Sequence, residues 1–298
     1  MRKMIPSPEI FPSVLGIPKK VFDELLPKFS QELRKAERSK YIPEAKRQRC
    51  LGGGRKGRLS TDEEKLFFIF FYYKVYPTFR FAEYLFDMDH TNILRWKEFL
   101  EGVLSTTMGQ ELVLPTKQIR CLNELITVYP ALKDIIVDAT ERPVRRPMDK
   151  DMEKMYFSGK KKDHTVKNQI FVSPKTGRIL HVSKTCEGKK HDKKLFEEDK
   201  IWTKAPPGTT ALTDGGYPGI DKLSPYIKHA HPFRKEAGKE LTELQKEANR
   251  VLSSKRVIVE NVFAHMKHFN ILRHDFRNRL NKAQVSFETI ACVYNFTR

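Results

Sequence analysis

Cysteine is scarce in this sequence. Cys50, Cys121, Cys186 and Cys292 are the four in 298 residues, and no two lie closer than 65 positions. Without a C-x-x-C pair there is no frame for structural zinc. The cysteines read as reduced thiols of a cytosolic protein. Long apolar runs are missing too. The longest, Leu66 to Tyr73, is eight residues, against about 20 for a membrane-spanning helix. At the N-terminus Arg2-Lys3 leads into a proline-punctuated stretch with no apolar core of the secretory kind. Negative charge is also short, with 37 Asp+Glu against 56 Lys+Arg and a net charge of +19. These absences argue against a membrane-spanning protein, a secreted protein and a disulfide scaffold. What is present, 39% hydrophobic and 31% charged residues, is globular and sufficient for one large domain or two modest ones. The basic excess points to a polyanionic partner, with nucleic acid first.

The charge is unevenly spread. Residues 1–58 carry net +9, residues 59–140 net −4, residues 141–200 net +7 and residues 201–298 net +7. Segment 46–58, KRQRCLGGGRKGR, joins three consecutive glycines to basic residues that include Arg55, Lys56 and Arg58. Either a mobile arm that tracks DNA phosphates or a plain basic linker fits that composition.

Ser60 with Glu63 has capping-box spacing and predicts a helix through the apolar stretch, ending before Pro77. Thr78 to Phe86 fits a second short helix. Asp87 suits a left-handed turn residue, and Asp89 suits the cap of a third helix. Helix, tight turn, helix is the helix-turn-helix plan. On it His90, Thr91 and Asn92 would face base edges or phosphates, and Arg95 the backbone. Dimerisation or packing explains the same pattern, and the acidic balance of the segment weighs against strong phosphate contact.

Three acids in the basic remainder occupy unusual settings. Asp138 ends the run Ile135-Ile136-Val137, which reads as a buried strand delivering a carboxylate at its carboxyl end. Asp214 follows Ala211-Leu212-Thr213 and precedes Gly215-Gly216, again a strand leading to a tight turn. Glu260 flanks the apolar stripe Val259, Val262, Phe263, Met266 and Phe269 of an amphipathic helix, with Arg256 and Lys267 on its face. An Arg256–Glu260 helix salt bridge is the plainer reading. The functional one is divalent-metal phosphate chemistry, since Mg²⁺ takes few carboxylates plus substrate oxygens.

The ordered motifs IIVDATERPVRRP, YFSGKKKDHTVKNQIFV, GKKHDKKLF, LTDGGYPG and RVIVENVFAHMKHFNIL resemble those of the DDE transposases of bacterial insertion sequences. The likeness is to the family-five group, related to eukaryotic Harbinger elements (DDE superfamily endonuclease, transposase family 4). It covers residues 131–298, and GGGRKGRLSTDEEKLFF with YPTFRFAEYLFDMDHTNILRW resembles the N-terminal region of the same group. The resemblance implies an α/β fold: an RNase H-like catalytic core, a mixed sheet with flanking helices, preceded by an all-α helix-turn-helix region. The implied domains are a basic arm over 1–58, a helical domain over 59–127 and a catalytic domain over 131–298. Strands are expected near 134–138, 165–173, 178–184 and 209–213, and helices near 190–198, 241–252, 256–270 and 282–296.

Carried over residue by residue, Asp138, Asp214 and Glu260 match the three metal-binding catalytic acids. Arg256 and Lys267 match the cations that accompany the glutamate. Lys160, Lys161, Lys162, His164, His191 and Asp192 match motif positions, as substrate-contact or structural candidates, and Asn249 also recurs. Ser253 stands where the group often has tyrosine. The implied activity is metal-dependent cleavage at transposon ends followed by strand transfer, with Mg²⁺ or Mn²⁺ as a pair of ions. The implied partners are double-stranded DNA, as terminal inverted repeats and target, and further copies of the chain in a dimer or larger assembly, with no membrane. The implied place is the cytoplasm at the nucleoid, or the nucleus of a eukaryote. A domesticated transposase that binds DNA without cutting, and a host endonuclease on the same core, are the rival expectations.

Overall fold

The computed structural model describes residues 5–39, 57–110, 134–199, 208–223, 227–235 and 238–298. The chain divides into two compact units. One takes in Met1–Glu111, His268–Ile271 and Thr297, and the other Leu112–Lys267, Leu272–Phe296 and Arg298. Arg55, Lys56, Cys50 and Cys121 lie outside the described residues. No helix among the described residues is long and apolar enough to cross a membrane.

The first unit is helical: α1 (Phe11–Leu15), α2 (Lys19–Ser39), α3 (Asp62–Val75), α4 (Phe79–Phe86) and α5 (His90–Gln110). Helix α3 is buried on nearly every side, from Lys65 through Phe70 and again at Tyr72 and Tyr73. Its capping box is Thr61 with Glu64, one residue later than the Ser60–Glu63 spacing predicts. The Glu64 carboxylate decides this, because it accepts both the Ser60 and Thr61 N–H groups and the Ser60 hydroxyl. Thr61 Oγ1 returns the bond by accepting from the Glu64 N–H at 3.1 Å. Helix α3 closes on Tyr76 in the left-handed region, just before Pro77. Thr78 caps α4, Asp87 ends it at φ 49°, and Asp89 Oδ1 accepts the Thr91 N–H at 2.8 Å.

The second unit is a mixed sheet with helices around it. Its strands are β1 (Asp134–Pro143), β2 (Phe157–Ser158), β3 (Asp163–Val172), β4 (Ile179–Val182), β5 (Cys186–Glu187), β6 (Thr209–Leu212) and β7 (Ile227–Ala230). The order is β2-β3-β1-β6-β7, with β4 and β5 also pairing with β3. Strand β1 runs antiparallel to β3 and parallel to β6. The helices are α6 (Lys150–Tyr156), α7 (Asp192–Asp199), α8 (Glu243–Met266) and α10 (Ala283–Phe296), while the short α9 (Asn270–Arg273) is divided between the two units. Ile135 and Val137 of β1 pack with Phe171, Phe196 and Tyr217 in one core cluster. Strand alternation turns Ile136 and Asp138 to the opposite face.

Two expectations change here. Strand β1 continues five residues past Asp138, so that acid lies within the strand rather than at its end. The continuation is masked in sequence by Glu141 and Arg142. Distant partners bury Arg142, which donates to Ser286 Oγ and the Ala283 carbonyl and lies 4.2 Å over the Phe276 ring, and Thr165 and Lys167 of β3 hold Glu141. Helices expected over 241–252 and 256–270 are one helix, α8. Ser253-Ser254 does not break it, because Ser254 Oγ donates back to the Val251 carbonyl at 2.8 Å and stays within the helix.

Candidate active site

Ile136 of β1 pairs with Leu212 of β6 in parallel register. Asp138 and Asp214 each lie two residues further on. They therefore leave the β1–β6 pairing in the same direction on neighbouring strands. Asp138 Oδ1 accepts the Ala139 N–H at 2.8 Å, and Oδ2 lies 3.6 Å from Arg256 of α8. Its carboxyl is pushed up to about 6. Burial is the main cause, and Asp214 and Asp192 add to it, while the Ala139 N–H and Arg256 pull the other way.

Asp214 sits in the turn after β6, where Oδ1 accepts the Gly216 N–H at 2.8 Å. A Cβ on Gly216 would lie 2.9 Å from Asp214 Oδ1 and 3.5 Å from Asp192 Oδ2. Glycine thus lets two carboxylates close on bare backbone. Asp192, at the start of α7, is paired: Lys167 of β3 donates to it at 2.8 Å. Asp214 has no ion pair among the described residues.

Glu260 is exposed on α8 and makes no hydrogen bond or ion pair with any described residue. The Arg256–Glu260 salt bridge is absent, because Arg256 is turned to Asp138. Glu260 lies one turn beyond Arg256, and Lys267 follows as the C-cap of α8. The Lys267 ammonium is held below its usual range by burial first and by Lys161, against the opposing pull of Glu141 and Asp138. The cations on either side of Glu260 along α8 both act on Asp138. Among the described residues, the one trio of acid or histidine ligand atoms within 4.8 Å of one another is elsewhere, at Glu83, Asp89 and His90.

The basic candidates fall in separate places. Lys160, Lys161 and Lys162 are exposed on the turn between β2 and β3. Lys160, His164, His191 and Asp192 line a cavity of about 660 Å³, while Lys161 and Lys267 line a smaller one of about 250 Å³. In the helical unit, Thr91, Asn92 and Arg95 are exposed on the first turns of α5. His90 Nδ1 lies 3.4 Å from Asp89 and 3.5 Å from Glu83, and Arg58 pairs with Asp87. Ser253 is exposed. Asn249 clamps the backbone of Phe233, accepting its N–H at 2.8 Å and donating to its carbonyl at 3.0 Å. The next residue, Arg234, donates to the Gly215 carbonyl, which ties α8 to the turn that carries Asp214.

Three participants escape a reading of the sequence. Lys167 is buried between Asp192 and Glu141, its cross-strand partner. Gln169 donates to the Tyr217 hydroxyl at 2.8 Å in the core behind the acids. Burial and the charges of Asp192, Asp138 and Asp214 push that phenol well above its usual value. A lysine and a glutamine within the buried strand HTVKNQIFV were the available signal, since buried polar groups need partners.

A family profile described as DDE superfamily endonuclease matches residues 137–295, a span that contains all three acids. A protein named as transposase for insertion sequence element IS702, from Microchaete diplosiphon, is 30% identical over 243 residues, covering 82% of this chain and 83% of its own. One named as transposase for insertion sequence element IS112, from Streptomyces albus G, is 31% identical over 140 residues, 47% of this chain and 49% of its own. No solved structure matches. The chain belongs to the DDE superfamily of endonucleases, among the transposases of insertion sequences.

Proposed function

We propose that this transposase cuts DNA at the ends of its element and joins them to target DNA, using divalent ions held by Asp138, Asp214 and Glu260. The catalytic unit is then an RNase H-like core. The carrying observation is negative charge that the neighbouring cations only partly offset. Asp138 and Asp214 emerge side by side, the first desolvated with its carboxyl raised and the second without an ion pair among the described residues. Asp192, by contrast, is already paired with Lys167. The donor set is all oxygen, which suits Mg²⁺ or Mn²⁺. The bare Gly216 backbone leaves room for a cation where a Cβ would stand.

Bound there as a pair, such ions supply Lewis acidity at a phosphoryl oxygen and make water or a 3′-hydroxyl a better nucleophile. The chain's own residues do the rest. Arg256 orients Asp138, and Lys267 presents a cation to the transferring phosphate. Asn249 and Arg234 hold the Asp214 turn against α8. Glu260, free of partners, completes the donor set from the helix. Segment 78–96 serves as a helix-turn-helix that reads the end sequence through Thr91, Asn92 and Arg95. Bulk phosphate affinity falls to the basic catalytic unit and the 46–58 arm, including Arg55, Lys56 and Arg58. Joining two ends calls for at least two copies of the chain.

The test is cleavage of duplex DNA carrying the inverted repeats that flank the gene, with Mg²⁺ or Mn²⁺. Wild type should nick at the repeat ends and transfer strands. Asp138→Asn should do neither. Equal cutting by that variant would remove Asp138 from the chemistry.

A further inference from the structure

Asp138, Asp214 and Glu260 do not line the cavity of about 660 Å³, whose wall includes Asp192 and Gly216 together with Glu141 and Glu153. Its size falls in the range of small-molecule sites, about 300–1,000 Å³. Its walls come from α6, the turn after β2, β3 and the loop before α7. Two features of that wall call for a ligand. Lys154, Lys160 and Lys189 line it and have no ion-pair partner among the described residues. Nearby lysines are satisfied: Lys190 by Glu187 and Glu198, Lys167 by Asp192.

The second feature is aromatic. Phe157 lines the cavity and is 42% exposed, so part of its ring is open to a ligand. The His164 ring meets it edge-on at 5.6 Å. His164 Nε2 is buried without a hydrogen-bond partner among the described residues. An exposed ring face, an unsatisfied imidazole nitrogen and unpaired ammoniums together fit a base and its phosphates. Sequence-tolerant strand binders combine a stacking aromatic with cations along the backbone.

We propose that this cavity takes a single unpaired nucleotide of a DNA strand next to the cleavage site. The base stacks on Phe157, His164 Nε2 hydrogen-bonds its edge, and Lys154, Lys160 and Lys189 hold flanking phosphates. A base within a duplex is stacked on both sides, so only one that has left the stack can enter. Three unpaired cations spread over three segments exceed what one phosphate needs, which favours a strand over a free nucleotide. Gly188 keeps the wall thin, since a Cβ there would fall 1.9 Å from Thr165 Oγ1. The inference rests on the reading of this unit as a DNA-cutting enzyme, and it assigns that enzyme a site for melted DNA.

The test uses the full chain in EDTA, so that strand binding is measured apart from metal-dependent cutting. The probe is a 12-nucleotide oligothymidylate with one central 2-aminopurine, whose fluorescence falls on stacking. Wild type should bind with quenching, and deoxythymidine monophosphate should compete only weakly. Phe157→Ala should weaken binding about 10-fold and abolish the quenching, while Phe157→Trp restores both. Phe157→Leu repeats the test if the alanine variant unfolds. Lys160→Ala with Lys189→Ala should weaken binding but leave quenching at saturation. Unchanged affinity and quenching in Phe157→Ala and Phe157→Leu would overturn the proposal. So would a mononucleotide that binds as tightly as the oligonucleotide. A wild-type protein that cuts but does not bind the strand sinks this inference alone. Strand binding in EDTA without any metal-dependent cutting sinks the nuclease reading instead.

Discussion

Each unit of the molecule buries charge, and the two do so in opposite ways. In the helical unit Lys97 and Glu101 are 1% and 2% exposed, and their side chains meet at 2.8 Å. Tyr73 donates to the other Glu101 oxygen at 3.0 Å, which completes the pair. That site is neutral and closed. In the α/β unit Asp138 is desolvated beside Asp214 and Asp192, with Arg256 the one cation paired to it among the described residues, at 3.6 Å. Asp214 there has no ion pair among the described residues, so the negative charge is only partly offset. Burying a charge is costly unless a partner offsets it. The helical pair is a structural solution, whereas the acid site holds a desolvated carboxylate whose charge is only partly offset. Basic composition and buried acids belong together: a positive surface attracts DNA, and the acids within it need cations.

The largest expected effect is at the acid site. Asp138→Asn should lower cleavage by at least about 10³-fold. In EDTA it should also raise the thermal midpoint, because it removes a desolvated charge that lacks full compensation. A fall in both would make Asp138 a structural residue and erase the contrast. Next is the mirror experiment, Glu101→Ala, which strands Lys97 in the helical core. It should cost about 3–5 kcal/mol in urea unfolding, with cleavage by the folded fraction retained. Third, Mn²⁺ should raise the midpoint of wild type by up to about 2.7 kcal/mol of stability at 100 times its Kd, and that of Asp214→Asn far less. A shift of equal size in both proteins would place the ion elsewhere. The smallest effect is Thr61→Ala at the N-cap of α3, about 1 kcal/mol with no change in cleavage.

What could be read from sequence was local. The short helix near 78–86, the left-handed Asp87 and the Asp89 cap each depend on residues within a turn of one another, and all three form. The Glu64 box was missed by one position because Ser60–Glu63 and Thr61–Glu64 have the same spacing. Only the bonds to the Ser60 and Thr61 N–H groups separate them. Strand β6 leading to the Asp214 turn was visible from a short apolar run and two glycines. What was not legible depends on distant partners. Arg142 sits within a strand because α10, more than 140 residues later, supplies its acceptors. Strand β7 is short, and of Ile227–Ala230 only Ile227 is buried. Lys167 could not be matched to Asp192 until β3 and α7 were in place. Spacing alone marked the three acids as unusual, and only the ordered motifs singled them out as a set.

Glu260 is the member of the set with the fewest contacts, so it tests the central claim most sharply. The direct measurement is Mg²⁺-dependent nicking of inverted-repeat DNA by wild type, Glu260→Gln and Asp192→Asn under the same conditions. The account predicts that Glu260→Gln loses nicking while staying folded, and that Asp192→Asn retains part of it. Full nicking by Glu260→Gln together with none by Asp192→Asn would contradict the account and move the third carboxylate from α8 to α7.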